Sequence, residues 1–512
     1  MRLPDLPVGD IQNRREMVTA RGLNYSDNIQ DGDLAVCQNL SNRRWPYLAT
    51  RNAREQQAGY ENVTALTNWN GLVAVRGTDL LYNGNVVGQV TAGEKQFAAV
   101  NTKLVIWPDK VYLDMNELTL KPLGAETTAT KAVFAGSQDT VTFTGAGDLT
   151  QKFRVGDGVE FSGFQTLTGN NRSLVIKTVT ADTITIAAKT FTAGTESGTI
   201  SIKRKIPDLD FICESGNRLW GVSNEEKTIY SSVLGDPSNF YVYDGLSTDG
   251  YALPIGSEGD FTGCCKLSTS LLFWKERTLH KILGDYPAEY VMYSYDIEGL
   301  RAGCHRSQTI INDVLFYVGL HGVFTYAGGS PSDLSAMFGQ HELTEAVGET
   351  DGEKYYLSAL DNGSPALFTF NPNEGAWLKE DALRFTDAAR MGKDVYLLKP
   401  DGTVWLEDGG QDDPAVEWVA EFTPFYETIE GRKRVSRLMA RVELAAGAWV
   451  KAEYSPDNGA WQEVTKITRG KVDTVSMVVT PNRCDQYRVR LSGTGPCVIK
   501  NVLREFIVGG YG

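Results

Sequence analysis

A chain of 512 residues, 42% hydrophobic and 22% charged, has the composition of an ordered globular protein, long enough for several cores at ~150 residues per domain. A formal charge of −14 opposes tight nucleic-acid binding, which needs clustered Lys and Arg to neutralise phosphates. The 7 cysteines contain no CxxC pair and no run reaches the ~18 apolar residues of a membrane span, so disulfide scaffold, zinc site, cofactor and membrane insertion are not expected.

The opening MRLPDLPVGDIQNRRE lacks the basic-then-apolar order of a secretion signal, which predicts synthesis in a cytoplasm. Residues 1–55 are rich in Gly, Asn, Asp and Arg with little periodicity and read as an irregular arm or cap. A strand, turn, strand pattern then recurs, first in TALTNWNGLVAVRGTDLLYNG from Thr64 and AAVNTKLVIWPDKVYLD from Ala98. It returns around Leu219, Leu271, Val314, Tyr356 and Val395, and with Leu72 and Leu104 these seven strand starts are spaced by 32, 115, 52, 43, 42 and 39 residues. A period of ~40 to 50 residues made of short antiparallel strands predicts propeller blades, each a small sheet that cannot bury both faces without its neighbours. The predicted fold is all-β: a six- or seven-bladed β-propeller over 56–123 and 206–410, with an inserted small β-barrel or sandwich over 124–205 and a C-terminal β-sandwich over 411–512. The insertion accounts for the one long gap, and its DTVTFTG, LVIKTVT and DTITIAAKTFTAG segments alternate as strands do.

Cys213 and Cys265 lie six residues before Leu219 and Leu271, where Ala98 and Ala389 stand before Leu104 and Val395, so they read as small packing residues. Trp107, Trp220, Trp274 and Trp405 fall in or beside apolar runs and are expected to pack between blades. The histidines His280, His305, His321 and His341 show no metal spacing, and Cys304 beside His305 would point to the opposite face of a strand. SPDNGAW, Ser455 to Trp461, resembles an Asp-box but occurs once and reads as a hairpin turn. The basic run Arg432, Lys433, Arg434 reads as a strand edge or subunit contact.

Two stretches carry a resemblance. GLNYSDNIQDGDLAVCQNLSNRRWPYLATRNAR, through Asn39, Leu40, Trp45, Pro46, Leu48, Arg51 and Arg54, is similar to the opening of phage tail proteins, and NRCDQYRVRLSGTGPCVIKNVLREF to a module that closes many of them. Between them, NRLWGVSNEEKTIYSSVLGDPSNF looks like a blade of the same group. The family it resembles is the tail nozzle or tail-hub (stabilisation) proteins of short-tailed phages. That resemblance implies a non-enzymatic virion component, made in the host bacterial cytoplasm and assembled in the tail as a homo-oligomeric, sixfold ring. The ring would line or extend the DNA exit channel and contact other tail proteins such as adaptor and fibre, with genomic DNA passing through without sequence-specific binding. The competing expectation is a host-receptor or glycan-binding, and even glycan-cleaving, tail-tip protein.

Overall fold

The computed structural model describes residues 11–18, 20–410, 416–427, 432–468, 472–477 and 483–508. The chain divides into two compact units, Asn62–His305 and a second that joins Met1–Glu61 to Arg306–Gly512. Both are all-β and propeller-type. Among the described residues there are seven four-stranded antiparallel sheets of blade form.

In the unit Asn62–His305, blades 1 to 4 occupy residues 63–89, 96–122, 211–254 and 263–296. The apolar runs of their second strands are continuous because both faces are covered. Along Lys103–Trp107 of blade 2, Leu104 and Ile106 pack with Val73, Val75 and Leu80 of blade 1, while Val105 and Trp107 pack with Leu219 and Ile212 of blade 3. Side chains alternate across a strand, so one run of five residues feeds two cores. Trp220 and Val222 repeat this on the far face of blade 3, meeting Leu271 and Phe273 of blade 4. The tight turns carry matching chemistry: Gly216 and Asn217 both have positive φ, 60° and 56°, as a two-residue type I′ hairpin requires.

Between blades 2 and 3, residues 126–204 close into a six-stranded barrel with its own core of Phe134, Phe143, Phe153, Phe161, Phe164 and Phe191. It is seated on blade 3 by close backbone approach. A Cβ on Gly158 would lie 2.4 Å from the Tyr241 ring, and one on Gly156 2.5 Å from Val242, so only glycine fits.

The second unit holds blades 5 and 6, residues 309–333 and 343–381, and a seventh sheet in which 387–406 supplies three strands and Glu55–Gln56 the fourth, paired to Trp405 and Leu406. Its remaining strands form two larger sheets. One contains Lys433–Leu444, Val472–Met477 and Cys497–Val508; the other contains Glu417–Phe422, Trp449–Pro456, Gln462–Ile467 and Tyr487–Thr494. Alternate residues Val435, Leu438, Ala440 and Val442 from the first, and Val450, Ala452, Val489 and Leu491 from the second, are all fully buried, as sandwich faces are.

The expected irregular arm over 1–55 is corrected here. Ile11–Met17 pairs with Cys497–Val508, Tyr47–Thr50 pairs with the same strand, and Asp33–Gln38 pairs with Glu417–Phe422, so the N-terminal segment completes both sheets. These strands are short, and their partners in the two sheets lie more than 380 residues onward, so local patterning does not reveal them. The edge reading of Arg432–Arg434 is also corrected. The strand Lys433–Leu444 is hydrogen-bonded on both sides, by Cys497–Val508 and by Val472–Met477 with Arg483–Cys484. Lys433 is buried and its ammonium donates to the Asp485 carbonyl, whereas Arg432 and Arg434 are exposed.

Candidate functional site

The motif residues near the N-terminus converge on one buried polar cluster. Asn39 has φ of 54°; its Oδ1 accepts from Arg51 Nε at 2.8 Å and its Nδ2 donates to the Glu417 carbonyl at 2.7 Å. Leu40 and Leu48 are buried, while Trp45 is exposed and Pro46 half-buried at the tip of the hairpin. Arg54 is 3% exposed and meets three carboxylates: Nε donates to Glu407 at 2.6 Å, Nη2 to Glu407 at 3.2 Å and to Glu380 at 3.1 Å, and Nη1 to Asp381. Burial opposes the charge on Arg54, but Glu407, Asp381 and Glu380 more than offset it and hold the guanidinium ionised. Burial and then the neighbouring Glu407 push the Glu380 carboxyl well above the usual range, while Arg54 pulls it back down. This cluster fastens the strand Glu55–Gln56 into the seventh blade. Its role is architectural.

A second surface lies on the rim of blades 3 and 4. The outer strand of blade 4, Val291–Asp296, pairs on one side only among the described residues, with Thr278–Leu283. Val291, Tyr293 and Tyr295 point the same way and are 49%, 45% and 42% exposed, and the two tyrosine rings lie nearly parallel, 6.4 Å apart. Near the start of this strand, Tyr243, Leu246, Tyr251, Pro287 and Ala288 line an apolar hollow of about 490 Å³. The loop that forms one wall is held by Arg218, fully buried, which donates to the carbonyls of Ser232 at 2.9 Å and Ser247 at 2.6 Å.

The third feature is a polar cleft of about 640 Å³ at the end of blade 4. It is lined by the link 257–262 from blade 3, by the hairpin residues Lys275, Glu276, Arg277 and Thr278, and by Asp296 and Ala302. Lys275 is buried and donates to the carbonyls of Ser257 at 2.8 Å, Glu258 at 3.3 Å and Gly259 at 2.7 Å, which uses all three of its protons. Beneath it, His280 is bridged between Ser257 Oγ at 2.9 Å and Ser294 Oγ at 2.8 Å. Burial, with the nearby Lys275 ammonium, pushes its pKa down to about 4, so the imidazole is neutral at pH 7. Gly299 lets the opposite wall close: a Cβ there would sit 1.9 Å from the Lys275 carbonyl.

The other residues singled out in the sequence are not drawn into any of these features. Cys213 and Cys265 lie in the first strands of blades 3 and 4, and burial raises the Cys265 thiol. Trp107, Trp220 and Trp274 are buried, while Trp405 is half-buried with Lys399 Nζ 3.7 Å above its ring. In SPDNGAW, Asp457 has φ of 46° and its carboxylate accepts from the backbone of Asp485 at 2.8 Å and Gln486 at 3.1 Å, a hairpin that docks on a neighbouring turn. The polar cleft had no signal in the sequence, because its carboxylates come from three separate links and single acidic residues there look like solvated turns.

No family model matches the chain, and no curated protein does. Among solved structures it is similar to an exo-β-1,3-galactanase from Phanerochaete chrysosporium with galactose, at 8% identity over 57% of this chain and 94% of that one, with a TM-score of 0.21. It is also similar to a glycoside hydrolase, at 10% identity over 86% and 97% of the two chains and a TM-score of 0.22. A third is Hsv2 from Kluyvelomyces marxianus, at 7% identity over 58% and 89% and a TM-score of 0.29. The expectation of a non-enzymatic chain is withdrawn against these comparisons, since glycoside hydrolases stand among the matching structures. At these identities and TM-scores the likeness carries no activity over to this chain.

Proposed function

We propose that this chain is a structural component of a bacteriophage tail, a nozzle or hub protein that assembles as a sixfold ring around the DNA exit channel and joins neighbouring tail proteins. The observation that carries the reading is the rim of blades 3 and 4. An outer strand paired on one side only among the described residues, with three exposed apolar side chains beside an apolar hollow, suits docking onto another protein. Two further features agree with it. The residues of the tail-protein motif build a clamp rather than a reactive centre, and a charge of −14 suits a conduit through which DNA passes without sticking. Arg432 and Arg434, exposed beside the buried Lys433, supply a polar contact to a neighbouring subunit. On this reading the place of action is the virion.

A ring arises when one heterologous interface repeats and closes. Electron microscopy of the purified chain and of the particle that carries it tests the reading, with a Tyr293→Lys/Tyr295→Lys variant alongside. Rings, or chain copies surrounding the tail channel, are expected from the wild type and not from the variant. Wild-type chains found singly at the tail tip refute the conduit.

A second reading, recognition of a host glycan at the tail tip, is favoured by one observation, the polar cleft of blade 4 with its surplus of carboxylates. Glycan titration of the full chain tests it directly.

A further inference from the structure

We infer that blade 4 carries a serine esterase site, in which Ser257 is the nucleophile, His280 its general base and Ser294 the group that orients the imidazole. The substrate class is an acyl ester without negative charge. Such an activity goes beyond the tail reading and is independent of whether the chain closes into a ring.

Two hydrogen bonds build the relay. Ser257 Oγ lies 2.9 Å from His280 Nε2, and His280 Nδ1 lies 2.8 Å from Ser294 Oγ. A neutral imidazole has one N–H and one lone pair, so it can donate to one serine while accepting the hydroxyl proton of the other. A hydroxyl within reach of a base that a third group orients is the arrangement a serine nucleophile needs. His280 and Ser294 stand directly opposite each other on the paired strands Thr278–Leu283 and Val291–Asp296, so the ladder fixes their separation. The Phe261 ring packs edge-to-face on the imidazole with 6.0 Å between centroids, and His280 is only 2% exposed.

The cleft distinguishes the two serines. Ser257 is half-buried in the link between blades 3 and 4 and lines the polar cleft of about 640 Å³, within the range of small-molecule sites, roughly 300 to 1,000 Å³. Ser294 is on the outer strand, outside the cleft, so a molecule held there meets Ser257. Lys275, pinned by three carbonyls of which Ser257's own is at 2.8 Å, sets a fixed positive charge next to the residue where negative charge develops. Burial, and then that same ammonium, keep His280 neutral at pH 7 against the opposing pull of Asp296, which leaves a lone pair for the serine proton. Glu258, Asp260, Glu276 and Asp296 outnumber Lys275 and Arg277 around the cleft, an excess that repels anionic esters.

In the reaction the Ser257 proton passes to His280 Nε2 as Oγ bonds to the acyl carbon. The tetrahedral adduct collapses by breaking the bond to the alcohol, which leaves with that proton. Water then attacks the acyl-serine and gives a proton to His280; the carboxylic acid departs and Ser257 recovers its hydroxyl.

The full chain is treated with a fluorophosphonate, which phosphonylates activated serines, and assayed with p-nitrophenyl acetate and the anionic p-nitrophenyl hemisuccinate. Peptide mass spectrometry should find the label on Ser257, and the acetate should give a stoichiometric burst of nitrophenol and react about tenfold or more faster than the hemisuccinate. Ser257→Ala and His280→Gln should each lose about a hundredfold or more of the rate. In the wild type kcat/KM should rise through about pH 4, the value to which His280 is depressed, and stay level to pH 7. Ser294→Ala should lower kcat with KM little changed and displace that limb, and Ser294→Thr should restore both. Labelling of the wild type needs no variant, so it decides the case even where His280→Gln fails to fold. No label and no hydrolysis, a label on Ser294 or elsewhere, activity that survives Ser257→Ala, or a limb at about pH 6.5, as for an unperturbed histidine, each overturns the inference. Hemisuccinate cleaved as fast as acetate overturns the substrate class.

Discussion

Replacing Arg54 by alanine should unfasten the N-terminal strand from the seventh blade. In the wild type one buried guanidinium neutralises a group of three carboxylates, Glu380, Asp381 and Glu407, of which Glu380 and Glu407 are each 3% exposed. Removing it leaves buried negative charge without compensation, a change that costs roughly 3–5 kcal/mol where one partner of a buried pair is lost. Against a total of about 5–15 kcal/mol for a folded domain, that is a large fraction. Urea denaturation at pH 7 measures it, and hydrogen exchange of residues 39–56 shows whether the loss is local. The cost has a pH signature with a definite sign. Without Arg54 the Glu380 carboxyl, already raised by burial and by Glu407, loses the neighbour that lowers it, so its protonation stabilises the variant at low pH and the benefit is lost as pH rises. The gap between wild type and variant should therefore narrow from pH 7 to pH 5. A cost under about 1 kcal/mol at pH 7, or a gap that does not change with pH, refutes the reasoning. A double-mutant cycle with Glu407→Ala should show a coupling on the order of 1–3 kcal/mol.

Glu349, largely buried, has its pKa pushed up to about 7 by burial, from an ordinary value of 4.5. A carboxyl whose folded pKa is raised contributes stability below its unfolded value that is lost as pH rises through the folded one, here up to about 3 kcal/mol between pH 4.5 and 7. Glu349→Gln should flatten the fall of the urea midpoint over that window; a wild-type midpoint that does not fall contradicts it. Gly299→Ala forces a Cβ into the Lys275 carbonyl and should lower the melting temperature, by the equivalent of about 1–3 kcal/mol, without altering the second unit's exchange pattern. Lys275→Met strips three carbonyls of their donor, so amides of residues 257–260 should exchange faster than in wild type; unchanged protection there would show the ammonium does not hold the link.

The blade repeat was legible because it is written locally. Leu72, Leu104, Leu219, Leu271, Val314, Tyr356 and Val395 all fall at the start of a second strand, the one covered on both faces, where apolar residues run without interruption and a turn signal precedes them. The barrel was legible for the same reason, since residues 126–204 pair only among themselves. The N-terminal strands were not. Tyr47–Thr50 forms a local hairpin with Leu40–Arg44 but enters the larger sheet only beside Val498 and Ile499, and Glu55–Gln56 is a strand because Trp405 and Leu406 lie beside it, so their places in the sheets are set by neighbours some 350 to 450 residues away. Likewise Lys433 looks like an edge charge in the chain, and becomes a buried donor only when strands from both sides enclose it. Charge and spacing in the sequence determine which segments are strands and which turns are tight; which carboxylates meet Arg54 depends on long-range packing that no local pattern encodes.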